Sequence, residues 1–279
     1  MAKSSRLGLI ATYIVATILV LIVILPLLWI FMMSFQNPID IIKWPPSFIF
    51  KISLENYKAA FSSSSSHLSI VPILINSIII TVTSTVIAVS LATVSAYSLS
   101  RLKPKGTGIL SFIILIFRMI PPITLVVPLY MIYVRTNLFD TRIGLILAFI
   151  ALNIPLAIWL MKGFFQDIPK SLEEAAMIDG CTPFQAFWLI ILPIVAPGVA
   201  ATSIFSFILS WNNLSLPLTL TTIKAATLPI LASQVRTDEG ILWGQMGVIS
   251  VFMIIPVIIF TIFATKYLIK GISSGAVKG

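Results

Sequence analysis

Apolar runs long enough to cross a bilayer recur six times along this chain, separated by polar and basic connectors. A crossing helix needs about 20 predominantly apolar residues. The first stretch, Leu7 to Ile39, carries no charge, and its core is Leu9 to Met33. Lys3 and Arg6 precede it, which places the N-terminus on the cytoplasmic side. Nothing like a small-residue cleavage site follows, so an uncleaved span is expected. Further spans are expected at Val71 to Ser98, Gly108 to Tyr133, Ile143 to Met161, Pro193 to Pro217 and Gly244 to Lys266. The second is rich in β-branched residues, but an uninterrupted apolar run of that length is a helix in lipid rather than a strand. Six spans return the C-terminal tail, Lys270 to Gly279, to the side of the N-terminus.

The connectors differ in kind. Ser34 to Ser69 holds Pro38, Pro45, Pro46 and the run Ser62 to Ser66, and reads as an external loop with His67 near its tip. Arg101-Leu-Lys103-Pro-Lys105-Gly106 is short and basic, the mark of a cytoplasmic turn. Leu218 to Trp243 is a second external loop.

Composition agrees with a lipid solvent. The chain is 58% hydrophobic and 10% charged, against roughly 25% charged in soluble domains. Its net charge of +9 comes from basic residues scattered between the apolar runs, the rim pattern of a membrane protein, and nucleic acid is not expected as a partner. One cysteine, Cys181, and one histidine leave no set of ligands for a metal.

Lys162 to Leu192 stands apart. It holds Asp167, Glu173, Glu174 and Asp179, four of the nine acids. Ser171-Leu-Glu-Glu174 has the form of a capping box, with Ser171 as N-cap. That helix runs through Ala175 and Ala176 and stops near Gly180, since glycine tolerates the left-handed turn past a helix end. Thr182-Pro-Phe-Gln185 is a second capping box with proline at the first helical position, and its helix is expected to end before Pro193. A bent pair of short helices results. It serves either as a rigid surface connector or as a knob for a partner, with small residues for close approach and acids for pairing.

Glu174-Ala175-Ala176-x3-Gly180, nine residues, then Ile190-x-Leu192-Pro193 resembles the EAA loop of permease subunits in bacterial and archaeal ABC importers at every fixed position. Met119-Ile-Pro-Pro122, Trp159 to Phe165, Ile168-Pro169, Trp211-Asn212 and the ending Gly275 to Gly279 extend the similarity to carbohydrate-type permeases, and to the second membrane subunit of maltose-type importers above all. The resemblance implies an all-α polytopic fold of six spans with a cytoplasmic coupling helix pair, the type I importer permease fold. It implies one permease domain over residues 1–279, with a core at 72–268 and the coupling loop at 162–192. It further implies a second, different permease subunit, two cytoplasmic ATPases that hold ATP and Mg, and an external substrate-binding protein, with no cofactor on this chain. The docking residues by this similarity are Glu173, Glu174, Ala175, Ala176, Asp179 and Gly180. Relatives often carry an acid where this chain has Asn213, so no charged contact is carried over there.

Candidate residues for the solute path are Arg118, Trp211, Asn212 and Asn213. Arg118 is the one charge inside an expected span, at a cost of roughly 2.5–3.5 kcal/mol at a helix centre. It either lines the path or snorkels toward a partner. Trp211 suits an aromatic belt at the outer interface somewhat better than stacking on a sugar; the two asparagines fit either setting. An ion-coupled carrier places acids within its spans, and a membrane enzyme needs a cluster of acid, base or metal ligands; neither pattern is present in the sequence. No phosphate-loop motif is present either, so energy has to come from a separate chain.

Overall fold

The computed structural model describes residues 6–62, 69–237 and 240–275. His67, serines 63–66 and the tail from Ala276 lie outside them. The helices are α1 (Arg6–Ser34), α2 (Pro38–Ile41), α3 (Glu55–Phe61), α4 (Ile70–Tyr97), α5 (Thr107–Met119), α6 (Pro122–Arg135), α7 (Arg142–Gln166), α8 (Ser171–Ile178), α9 (Pro183–Ala186), α10 (Leu192–Trp211), α11 (Ser215–Leu220), α12 (Leu228–Ser233) and α13 (Trp243–Gly275). A short antiparallel ribbon pairs β1 (Arg236–Thr237) with β2 (Gly240–Ile241).

Among the described residues, five helical stretches are long and apolar enough to cross a membrane: Gly8–Ser34, Ile70–Leu102, Arg142–Gln166, Pro183–Trp211 and Trp243–Phe263. The expected third span is broken rather than bent, because α5 and α6 meet at 92°. A residue before proline is pushed out of the helical region. Ile120 precedes Pro121, and Pro121 precedes Pro122, so two consecutive residues turn extended, with ψ of 121° and 129°. Pro122 then opens α6 at a position whose N–H has no helical partner anyway.

The second loop helix does not end before Pro193, contrary to the sequence reading. Helix α9, a π-turn at Phe187–Ile191 and α10 run on as one stretch. The Leu192 N–H bonds the Phe187 carbonyl, one residue further back than in an α-helix. This wider turn lies directly before Pro193 and accommodates a residue with no N–H to donate. A second π-turn, Ser98–Leu102, closes α4, and Lys103 beyond it is left-handed. The ring of Tyr97, which precedes this π-turn, lies 4.6 Å from that of Phe187, the first residue of the other.

The chain forms two compact units. One comprises the chain up to Val71 together with Leu231–Ile254; the other comprises Pro72–Ile230 and the chain from Ile255 onward. In the first unit, the Asn56 amide donates to the carbonyls of Ser34 and Gln36 and ties α3 to the end of α1. The apolar length of α1 is exposed, as suits a helix facing lipid or another subunit. In the second unit, α7 crosses α10. Gly198 lies under Phe164 there, and the Asn153 amide donates to the Ser210 hydroxyl at 2.7 Å. Lipid tails are as apolar as leucine, so close packing over small residues and hydrogen bonds between helices hold such a pair together.

Candidate functional site

The 162–192 loop begins where α7 ends. Pro169 and Lys170 already turn the chain into α8: Lys170 has helical φ and ψ, and the Glu173 N–H bonds its carbonyl at 2.9 Å. Ser171 is therefore inside the helix, and no side chain caps it. The capping box expected at Ser171 and Glu174 is absent, since an N-cap needs extended backbone. The far end of α8 matches expectation. Gly180 has φ +92°, the Gly180 N–H bonds Met177 and the Cys181 N–H bonds Ala176, which together make a Schellman turn. The second box also forms: the Thr182 hydroxyl accepts the Gln185 N–H, and the Gln185 side chain accepts the Thr182 N–H at 2.9 Å.

These caps fix which faces look out. Ala176 and Ala186 are buried at 3% and 1% exposure, whereas Ile178 and Phe184 are exposed at 85% and 72%. Glu174, Ala175, Asp179 and Gly180 are exposed beside them. The result is a firm tip, apolar at its centre and acidic at its edge. Glu173 does not belong to it. Its carboxylate turns inward to the Arg101 guanidinium, 3.0 Å from Nε to Oε1, with side-chain exposures of 14% and 6%. Arg101 also donates to the Ile168 carbonyl, and the Tyr97 side chain comes close to the Glu173 carboxylate.

The candidate path residues have different surroundings. Arg118 is exposed at the end of α5 and lines an apolar cleft of about 510 Å³ with Phe117, Leu125, Ile132 and Pro155. Trp211 is 2% exposed and stacks on Phe207, whose ring stacks in turn on Phe260. A place in an aromatic belt would require an exposed face that Trp211 lacks. Asn212 is exposed where α10 ends, and Asn213 accepts the Leu216 N–H at the start of α11.

Residues 88–274 match the family described as "Binding-protein-dependent transport system inner membrane component". The chain belongs to this family. The trehalose transport system permease protein SugB of Mycobacterium tuberculosis is 38% identical over 274 residues, covering 96% of this chain and 98% of its own length. The diacetylchitobiose uptake system permease protein DasC of Streptomyces coelicolor is 33% identical over 285 residues, covering 99% and 100%. In structure the chain is similar to a subunit of a bacterial ABC transporter involved in the import of the acidic polysaccharide alginate. The TM-score is 0.74 at 24% identity, over 96% of this chain and 98% of that one. The protein is thus a multi-pass plasma-membrane permease of an ABC importer, with the type I fold; it is not an enzyme, and ATP hydrolysis belongs to a separate subunit.

At the end of the permease opposite the coupling loop lies a polar knot that sequence reasoning missed. The Asp140 carboxylate accepts the N–H groups of Thr222, Ile223, Lys224 and Ala225 and the Thr222 hydroxyl. Burial alone would raise its pKa; the bonds from Thr222, Lys224 and Ala225 outweigh this and hold it below the ordinary carboxylate value. Next to it the Asn76 amide donates to the Lys224 and Ala226 carbonyls and accepts from Arg142. The one available signal was Asp140 itself, an acid next to Asn137 in a short connector, both residues that tolerate left-handed backbone. Its partners lie too far along the chain for spacing to reveal.

Proposed function

We propose that this permease pairs with a second, different membrane subunit to carry a sugar or oligosaccharide. Two ATPase subunits, which bind ATP and Mg, dock on the 162–192 tip, and an external solute-binding protein delivers the solute at the other face. Both termini face the cytoplasm, as the basic Arg101 to Lys105 turn and Lys3 and Arg6 suggest. The whole chain acts as one permease domain with its core at 72–268. The observation that carries the coupling role is the exposed tip of Ile178 and Phe184, held on buried Ala176 and Ala186, with the helix of Phe184 running without interruption into α10. The trehalose and diacetylchitobiose named for two relatives support the solute class. Glu174, Ala175, Asp179 and Gly180 contact the ATPase, with Ala176 setting the depth of approach and Glu173 holding the tip from beneath.

The test is ATP-dependent uptake of labelled trehalose, maltose and methionine by the importer reconstituted with its binding protein. Wild type should import a sugar and not methionine. Ile178→Asp should assemble with the partner permease, lose the ATPase on co-purification and import nothing. Import of methionine alone overturns the solute class. Full uptake by Ile178→Asp overturns the docking role.

A further inference from the structure

Three features meet beneath the coupling tip. Arg101 lies in the π-turn that closes α4, and its guanidinium reaches the Ile168 carbonyl 67 positions away and the Glu173 carboxylate on α8. Tyr97, on the last turn of α4, packs its ring on Phe165 of α7 and on Phe187 of the other π-turn beside this pair. Helices α7 and α10 are joined to the coupling loop through the backbone; α4 is not. It is held there by the polar cluster and by an apolar core that Ala92, Ala96, Tyr97 and Leu99 share with Ile168, Phe187 and Ile191.

We propose that Arg101 is a positioning residue of the transport cycle, fixing α4 to the coupling helix so that a displacement of α8 by the ATPase carries α4 with it. This rests on the coupling role proposed above. Magnitudes favour it over a plain fold staple. Removing two charges from water costs about as much as their attraction returns, so a well-packed apolar pair would stabilise the loop as well or better. What a buried ion pair gives beyond this is a fixed register. Arginine suits that purpose: its planar fork holds a carbonyl and a carboxylate at once, where the lysine ammonium is a single point on a flexible stem. The Nε–Oε1 contact is close without hydrogen-bond alignment, so the guanidinium spans both partners rather than serving one. Both helices of the junction carry a π-turn at this level, a departure from α geometry that recurs at functional sites.

The experiment uses the assembled importer in nanodiscs. Cys181 is the one cysteine, so a Cys181→Ser background accepts spin labels at Val94→Cys on α4 and Leu172→Cys on α8, both exposed positions. In wild type, the distance between the labels should be the same with and without ATP and vanadate. Arg101→Met leaves a buried carboxylate unpaired and can fail to assemble. The double variant Arg101→Met with Glu173→Gln removes both charges and keeps the test open. It should assemble and still hydrolyse ATP, yet its label distance should shift on adding ATP and vanadate, and transport per ATP should fall about tenfold, a coupling loss of ordinary size. Arg101→Lys should recover part of the transport. A double variant with an unchanged label distance and full transport per ATP overturns the proposal, as does a wild-type distance that moves with nucleotide. A wild-type chain that binds no ATPase at all overturns the proposed function, and this inference with it.

Discussion

The Asp140 carboxylate accepts both the amide and the hydroxyl of Thr222, at 3.0 and 2.8 Å, across 82 positions of chain. Three further amides converge on it. A hydrogen bond to a charged group contributes about 1.5–3 kcal/mol, and several on one carboxylate are not additive. Asp140→Ala should therefore destabilise the permease by about 3 kcal/mol, read as a lower unfolding midpoint in detergent. Asp140 also has φ +54°. Asn tolerates that conformation, so Asp140→Asn should cost less than Asp140→Ala.

The same carboxylate makes a pH prediction. Its pKa is lowered in the folded chain, so the stability it contributes is present above the unfolded pKa and is lost as pH falls through the folded one. Thermal stability of wild type should drop as pH is taken below the ordinary Asp value of about 4. In Asp140→Asn that part of the drop should be missing. Unfolding midpoints of the two chains across the acid range check it.

The two ends of the coupling pair should respond differently to alanine. Thr182→Ala removes a formed cap and should cost about 1 kcal/mol, seen as faster hydrogen exchange over residues 183–188. Ser171→Ala removes no cap bond and should leave exchange in α8 unchanged.

At the α7–α10 crossing, a Cβ on Gly198 would lie 2.4 Å from Cγ and 2.9 Å from Cβ of Phe164. The obstruction includes the base of that side chain, which a ring rotation does not remove. Gly198→Ala should cost about 1–3 kcal/mol and reduce recovery of assembled importer. Adding Phe164→Ala, which removes Cγ and Cδ2, should restore part of it, measured by size-exclusion yield.

Spans and coupling loop were legible because their signals are local: length of apolar run, proline before a helix, glycine after one. The break at Ile120 was half visible. Two adjacent prolines announce a disturbance, but the angle of 92° depends on what α5 and α6 pack against. Ser171 misled because a capping motif one residue too late looks the same in sequence as one in place. Pro193 misled because a π-turn leaves no mark of its own in the residues. Trp211 was placed at an interface on its type alone, whereas its stacking partners Phe207 and Phe260 bury it. The Asp140 knot and the Arg101 cluster join residues too far apart in sequence for any spacing rule.

The π-turn at Phe187–Ile191 holds one residue more than the α-helical turns on either side of it. Each residue of an α-helix rotates the next by about 100°, but the wider turn takes up the extra residue, so Phe184 at the tip and Ser210 against Asn153 keep the phase of a plain helix one residue shorter. One more residue inserted there has no wider turn left to absorb it and would point the docking face more than a quarter turn away, with every tip residue intact. The coupling tip is thus keyed to the membrane bundle by a residue count, and a single inserted residue in this stretch would act as a clutch that no longer engages.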